Sequence, residues 1–116
     1  MVSMDLDEIA RKKQKLIEKM NESGKERNPS EDHAIGLKTL QNPKRRMIME
    51  LLADGPKSLD QIKIELDMND MQAKLNLDML EDAFYISKLD PFDKTEYELT
   101  IRGDAYLENV KTGGIK

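Results

Sequence analysis

The sequence predicts a mainly α fold with a small β-hairpin, and three observations predict it. Between Ser58 and Ala83, two short amphipathic helices, each opened by its own capping pattern, follow one another across a turn of about three residues. After Ala83 the hydrophobic period changes from helical to alternating, with Asp90-Pro-Phe-Asp-Lys-Thr95 as the turn between two short candidate strands. Ahead of both lies a separate amphipathic stretch, residues 5 to 20, set off by a polar segment containing Gly24 and Pro29.

A chain of 116 residues is one domain, or one domain with an arm. Charged residues make up 36% and aromatics 4%, and there are eight methionines, so the core is expected to be aliphatic and methionine-filled. The absence of cysteine rules out disulfides, thiolate metal sites and cysteine nucleophiles. With no apolar run near the roughly 20 residues needed to span a bilayer and a polar amino end, the expectation is a cytoplasmic protein without a membrane role. The net charge is -4, yet residues 1 to 28 hold seven Lys/Arg against six Asp/Glu, which leaves the acidity in the remainder. That balance opposes strong non-specific DNA binding, although a local patch can override it.

The elements follow in order. Asp5 to Met20 forms a helix with Asp5, Asp7 and Glu8 in its first turn, where they favour the helix dipole. Leu6, Ile9, Ala10, Leu16, Ile17 and Met20 share one face, and Arg11, Lys12, Lys15 and Lys19 the other. We read the basic side as a solvated face over a stripe that packs on the body or on a second subunit. An arm whose lysines reach phosphates is the alternative. Asn21 to Ser30 reads as a linker, dividing a 1–28 arm from a 29–110 domain, with 111–116 as a frayed tail.

Asp32 to Leu40 can form a helix weakened by Gly36, and Asn42-Pro43 restarts the helical pattern with proline at the first position, where its missing donor does no harm. Met47, Ile48, Leu51 and Leu52 give that helix its buried stripe, and Gly55-Pro56 ends it. Ser58-Leu-Asp-Gln61 and Asn69-Asp-Met-Gln72 are the two capping boxes. The first helix buries Leu59, Ile62 and Leu66; the second turns Ala73, Leu77, Leu80 and Phe84 inward. So little chain between two capped helices forces them to cross steeply, which is a helix-turn-helix. Tyr85 to Leu89 and Glu96 to Thr100 make the hairpin, and Gly103 to Val110 closes the domain through Tyr106, Leu107 and Val110. The hairpin is a wing, and the whole is a winged helix-turn-helix with an extra N-terminal helix.

At this point the residues resemble the winged-helix repressors of the arsenic-repressor (ArsR-like) type. Asn-Pro-Lys-Arg-Arg at 42 to 46 looks like that family's Asp-Pro-x-Arg-Arg, followed by Ile48, Glu50-Leu-Leu52 and Gly55-Pro56 in the same order. Leu66-Asp-Met68 stands where the family often has Leu-Gly-Leu, and Asn76-Leu-Asp-Met-Leu80 where it has His-Leu-Lys-x-Leu. Tyr97-Glu-Leu-Thr100 with Gly103 resembles the end of its wings. The resemblance covers about Ile35 to Leu107 and implies a homodimeric transcription regulator whose second helix reads double-stranded DNA.

The resemblance also places the contacts. Gln72 and Asn76 would pair with adenine edges and Lys74 with guanine or phosphate, each good bidentate pair giving about 1 to 3 kcal/mol of discrimination. Lys44, Arg45 and Arg46 would meet the backbone, with Ser58, Asn69, Lys88 and the wing-tip Lys94 beside them. Leu75 departs from the arginine common there. Met71, Leu75 and Met79 recur on the outward side of the same helix. Met71 packing on the preceding helix and Met79 on the wing would make this row ordinary; otherwise, with Leu6, Ile9, Leu16, Ile17 and Met20, it is a candidate protein interface. The rival reading is therefore a winged-helix module that binds a protein partner or sits in a nucleic-acid complex. The lone His33 favours solvation over catalysis, no calcium-loop spacing or phosphate cradle occurs, and no enzyme, cofactor or metal is expected.

Overall fold

Helices begin where the sequence supplies a cap and a tolerant first residue. The computed structural model describes residues 5–23, 28–90 and 96–111. Helix α1 spans Leu6–Ser23, α2 Pro29–Thr39 and α3 Pro43–Leu52. A two-residue strand β1, Lys57–Ser58, leads into α4, Leu59–Leu66, and α5, Asp70–Asp82. Strands β2, Ile86–Lys88, and β3, Glu96–Leu99, precede α6, Ile101–Lys111.

Both predicted capping boxes form. The Ser58 hydroxyl accepts from Gln61 N at 3.1 Å while Gln61 Oε1 accepts from Ser58 N at 2.9 Å, and Asn69 and Gln72 repeat the exchange. Asn28 and Asn42 cap α2 and α3 with proline at the first helical position of each. The expected linker of residues 21–30 is corrected by this second use of the Asn-Pro signal. Helix α1 continues to Ser23 and α2 starts at Pro29, three residues before the expected Asp32.

The core lies between α3, α5 and the sheet. Ile48, Met49, Ile62, Leu77, Leu80 and Ile86 are fully buried, and Met68 plugs the α4–α5 turn. Strand order is β1-β3-β2, all antiparallel, with Lys57 opposite Tyr97 and Ile86 opposite Leu99. Strand β1 adds a third strand to the expected hairpin; two residues are too few to show a period. Tyr97 and Leu99 point into the core, while the alternate residue Glu98 is buried against α1. Gly36, which weakens α2 as a helix, is buried where an added Cβ would stand 2.6 Å from the Tyr85 hydroxyl. Lys94, the wing tip at 91–95, the Gly24 segment and the tail beyond 111 lie outside the described residues.

Candidate nucleic-acid interface

The α4–α5 pair makes a steep helix-turn-helix because Asp67, at the end of α4, adopts a left-handed conformation with φ 51°. Aspartate tolerates this region better than most side chains. Met68 then drops into the core, and Asn69 caps α5. Ala73, Leu77 and Leu80 hold α5 inward, leaving Met71, Gln72, Lys74, Leu75 and Asp78 exposed.

One expected DNA contact, Asn76, is corrected by its burial, and two others, Arg45 and Arg46, are half-buried and engaged on α2. Asn76 is only 6% exposed and its Oδ1 accepts from Arg45 Nε at 3.1 Å, so its amide is withdrawn from the outer face of α5. Arg45 also donates to the Thr39 carbonyl at 3.2 Å, and Arg46 donates to the Leu40 carbonyl. Both arginines therefore satisfy the C-terminal carbonyls of α2, where a cation also complements the helix dipole. The Asn-Pro-Lys-Arg-Arg run thus fastens α2 to α3 and α5. Arg45→Ala should cost about 1 to 3 kcal/mol by leaving a buried amide unsatisfied. Urea unfolding checks this, and a loss under about 0.5 kcal/mol would return Arg45 to the surface class.

The remaining residues divide by exposure. Lys88 donates to Glu81 at 2.9 Å and stands 5.7 Å over the Tyr97 ring. Burial opposes its charge, but the Glu81 carboxylate outweighs it and raises the Lys88 pKa above the ordinary lysine value. Ser58 is half-buried in its cap, and Asn69 is exposed but committed to its own. Gln72 offers its outer N–H groups, since its oxygen accepts from Asn69 N at 3.2 Å. Lys44 is exposed, and Lys74 is exposed beside Asp70 at 3.3 Å. Hydrogen bonding from Lys74 lowers the Asp70 pKa.

The outward apolar row is split. Met71 is 79% and Leu75 57% exposed, so Met71 does not pack on α4. Met79 is half-buried and lines a cleft with Ile35 and Thr39 of α2. From Ser58 to Asp82 the chain carries seven carboxylates and two lysines, and the outward surface is acidic.

Helix α1 reverses the expected orientation. Its basic side is the seat: Arg11 grips Glu98 through two hydrogen bonds of 3.0 and 3.1 Å, and Lys15 reaches Glu98 at 2.7 Å and the Lys88 carbonyl. Lys12, 8% exposed, pairs with Asp104 at 2.9 Å, and Lys19 with Glu81 at 3.0 Å. Burial alone would raise the Glu98 pKa, but the Arg11 and Lys15 hydrogen bonds win and hold it below the ordinary carboxylate value. For Asp104 burial dominates over Lys12 and pushes the pKa up. Ile9, Leu16 and Met20 are half-buried at the edge of this seat, while Leu6 and Ile17 face outward, 83% and 54% exposed. Glutamates alternating with Tyr97 and Leu99 in β3 were the one sequence signal for the acidic seat.

No protein-family model and no curated protein matches the sequence. Solved structures do. The homodimeric winged helix-turn-helix DNA-binding domain of Mb0332 from Mycobacterium bovis, a possible ArsR-family transcriptional regulator, is 25% identical with a TM-score of 0.61, covering 70% of this chain and 75% of that one. Reduced HlyU from Vibrio cholerae is 18% identical with a TM-score of 0.63, covering 75% and 93%. The reduced form of the transcriptional regulator YodB from B. subtilis is 22% identical with a TM-score of 0.59, covering 77% and 89%. Among the described residues no helix is long and apolar enough to cross a membrane. The chain has the winged helix-turn-helix fold, and its structural neighbours include transcription regulators described as of the ArsR family.

Proposed function

We propose that the chain is a sequence-specific DNA-binding transcription regulator that acts as a homodimer. What carries this reading is the exposed face of α5, held by α4 and the sheet in a fold shared with the homodimeric DNA-binding domain of Mb0332. Gln72 on that face would read a base edge, Lys74 would meet guanine or phosphate, and Lys44 would meet phosphate. Two copies of α5 would enter successive major grooves about 34 Å apart. Leu6 and Ile17 of α1 with Val110 of α6, all exposed, would meet the second copy. With Asn76 buried and Arg45 and Arg46, both half-buried, engaged on α2, base selection would rest on few contacts.

The test is a titration against genomic fragments at low and moderate salt. Selected fragments should take up two chains, with log affinity falling in log salt at a slope of about 4, since Lys44 and Lys74 give four phosphate-reaching cations per dimer at about 0.9 each. Gln72→Ala with Lys74→Ala should abolish selection without unfolding. If no fragment is retained at low salt, the DNA reading fails. The second reading is a winged-helix module that binds protein, favoured by exposed Met71 and Leu75 within an acidic surface. Leu75→Asp losing a partner while leaving fragment binding unchanged would select it.

A further inference from the structure

We infer that the open cleft bordered by α1, the turn between α3 and β1, β3 and α6 is a binding site for an organic primary ammonium ion with a hydrocarbon body. The cavity measures about 410 Å³, within the range of small-molecule sites, which combine mostly apolar walls with a few converging polar groups. Leu52, Pro56 and Leu107 supply the apolar wall, and Asp54, Asp104 and Glu8 stand around it.

The charges select the ligand's sign. Two cations also line the cavity, Arg11 and Lys12, and both are committed: Arg11 to both oxygens of Glu98, Lys12 to Oδ2 of Asp104. The carboxylates are in surplus. Asp54 has no ion-pair partner among the described residues, Glu8 reaches Arg11 only at 3.5 Å, and one oxygen of Asp104 is left without a donor there. An anion entering would face this surplus, and a neutral molecule would strip water from the carboxylates without replacing its hydrogen bonds. A cation answers both. Burial, with Glu8 and Glu98 adding repulsion, disfavours the Asp104 charge as the cavity stands, and an ammonium beside it would relieve that.

The lining also selects the kind of cation. Among the described residues no aromatic ring borders the cavity, and they offer no ring face to a quaternary ammonium. Carboxylate oxygens instead call for N–H donors, which a primary ammonium has and a quaternary one lacks. Because Glu8, Arg11 and Lys12 belong to α1, and Asp104 and Leu107 to α6, an occupant would tie the first helix to the last. It would thereby reinforce the seat of α1 on the wing strand that carries Glu98.

The experiment is an amide ¹H–¹⁵N titration of the full chain with octylammonium, with octanol, octanoate and octyltrimethylammonium as comparisons. Octylammonium should give saturable shifts at residues 8–12, 52–56 and 104–107, and the other three should bind at least tenfold more weakly. Asp54→Asn, at an exposed position, should weaken octylammonium about tenfold, as loss of a hydrogen bond to a charged group does. Leu107→Lys, which plants a tethered ammonium in the cavity, should abolish the shifts, and Asp60→Asn on α4 should change nothing. Equal binding of octanol, shifts spread over the acidic surface of residues 60–82, or an unchanged affinity in Asp54→Asn would each overturn the assignment.

Discussion

Gly103→Ala is expected to destabilise the fold by about 3 kcal/mol, at the upper end of the cost of overpacking. The added Cβ would stand 2.3 Å from the Tyr85 carbonyl oxygen and 3.1 Å from Leu99 Cδ2. Neither neighbour can yield cheaply. The Tyr85 oxygen is backbone and accepts from Thr100 N at 2.9 Å, while Leu99 is a core residue of β3. Thr100 is bound in turn, donating to the Phe84 carbonyl at 2.6 Å and accepting from Gly103 N at 3.1 Å. Relief of the clash therefore moves α6 away from the end of β3 or breaks the Thr100 links. A lower urea midpoint with an unchanged slope checks the prediction, and a loss below about 1 kcal/mol would mean that α6 shifts freely.

Glu98→Gln is expected to release α1. The side chain of Glu98 is 6% exposed and holds Arg11 and Lys15 together. Glutamine keeps the shape but removes the charge, so two cations lose their buried partner. Breaking a fully buried pair costs about 3 to 5 kcal/mol. Here Arg11 is 44% exposed and can turn to water, so about 2 kcal/mol is expected after screening. Trypsin reads the release directly, because Arg11, Lys12, Lys13, Lys15 and Lys19 are its cleavage sites in α1 and Lys12, Lys15 and Lys19 are engaged on the body by ion pairs. An increase of about 30-fold in cleavage within α1 corresponds to that free energy.

The same residue sets a pH dependence. The folded-state pKa of Glu98 is lowered, so its contribution is fully present above its unfolded pKa and is lost as pH falls through the folded value. The stability difference between the parent chain and Glu98→Gln should therefore be largest near neutrality and vanish in acid below the ordinary glutamate range. Asp104, whose pKa is raised, works in the opposite direction, but it is present in both proteins and is largely removed by the difference. A difference that stayed constant through acidification would show that α1 is held by packing alone.

Caps are legible in the sequence because they are local, but the period of α3 is not: Met47, expected in its buried stripe, is 45% exposed, and Met49, left out of it, is fully buried. Ser58, Gln61, Asn69 and Gln72 act within three residues of one another, and the stripe Ala73, Leu77, Leu80 needs only the helical period. Asn28-Pro29 was equally local, yet the polar residues around it made it read as a linker. Strand β1 was illegible for a different reason: it exists only because β3 lies beside it. The candidate contacts fared by the same rule. Lys44, Gln72 and Lys74 are exposed because helix phase places them outward. The engagements of Asn76, Arg45 and Arg46 are not legible in the sequence because their partners lie on other helices, 31 residues apart between Arg45 and Asn76.

The sequence by itself determined the helix-turn-helix, its caps, the wing and the inward face of α5, since all follow from contacts within a turn or a strand. Only the tertiary structure decided the direction of α1, which buries Lys12 and turns Leu6 and Ile17 outward. The physical reason is that a charged face is indifferent between water and a matching set of opposite charges. Glu98, Asp104 and Glu81 stand 62 to 92 residues from their lysines, and only folding brings them together.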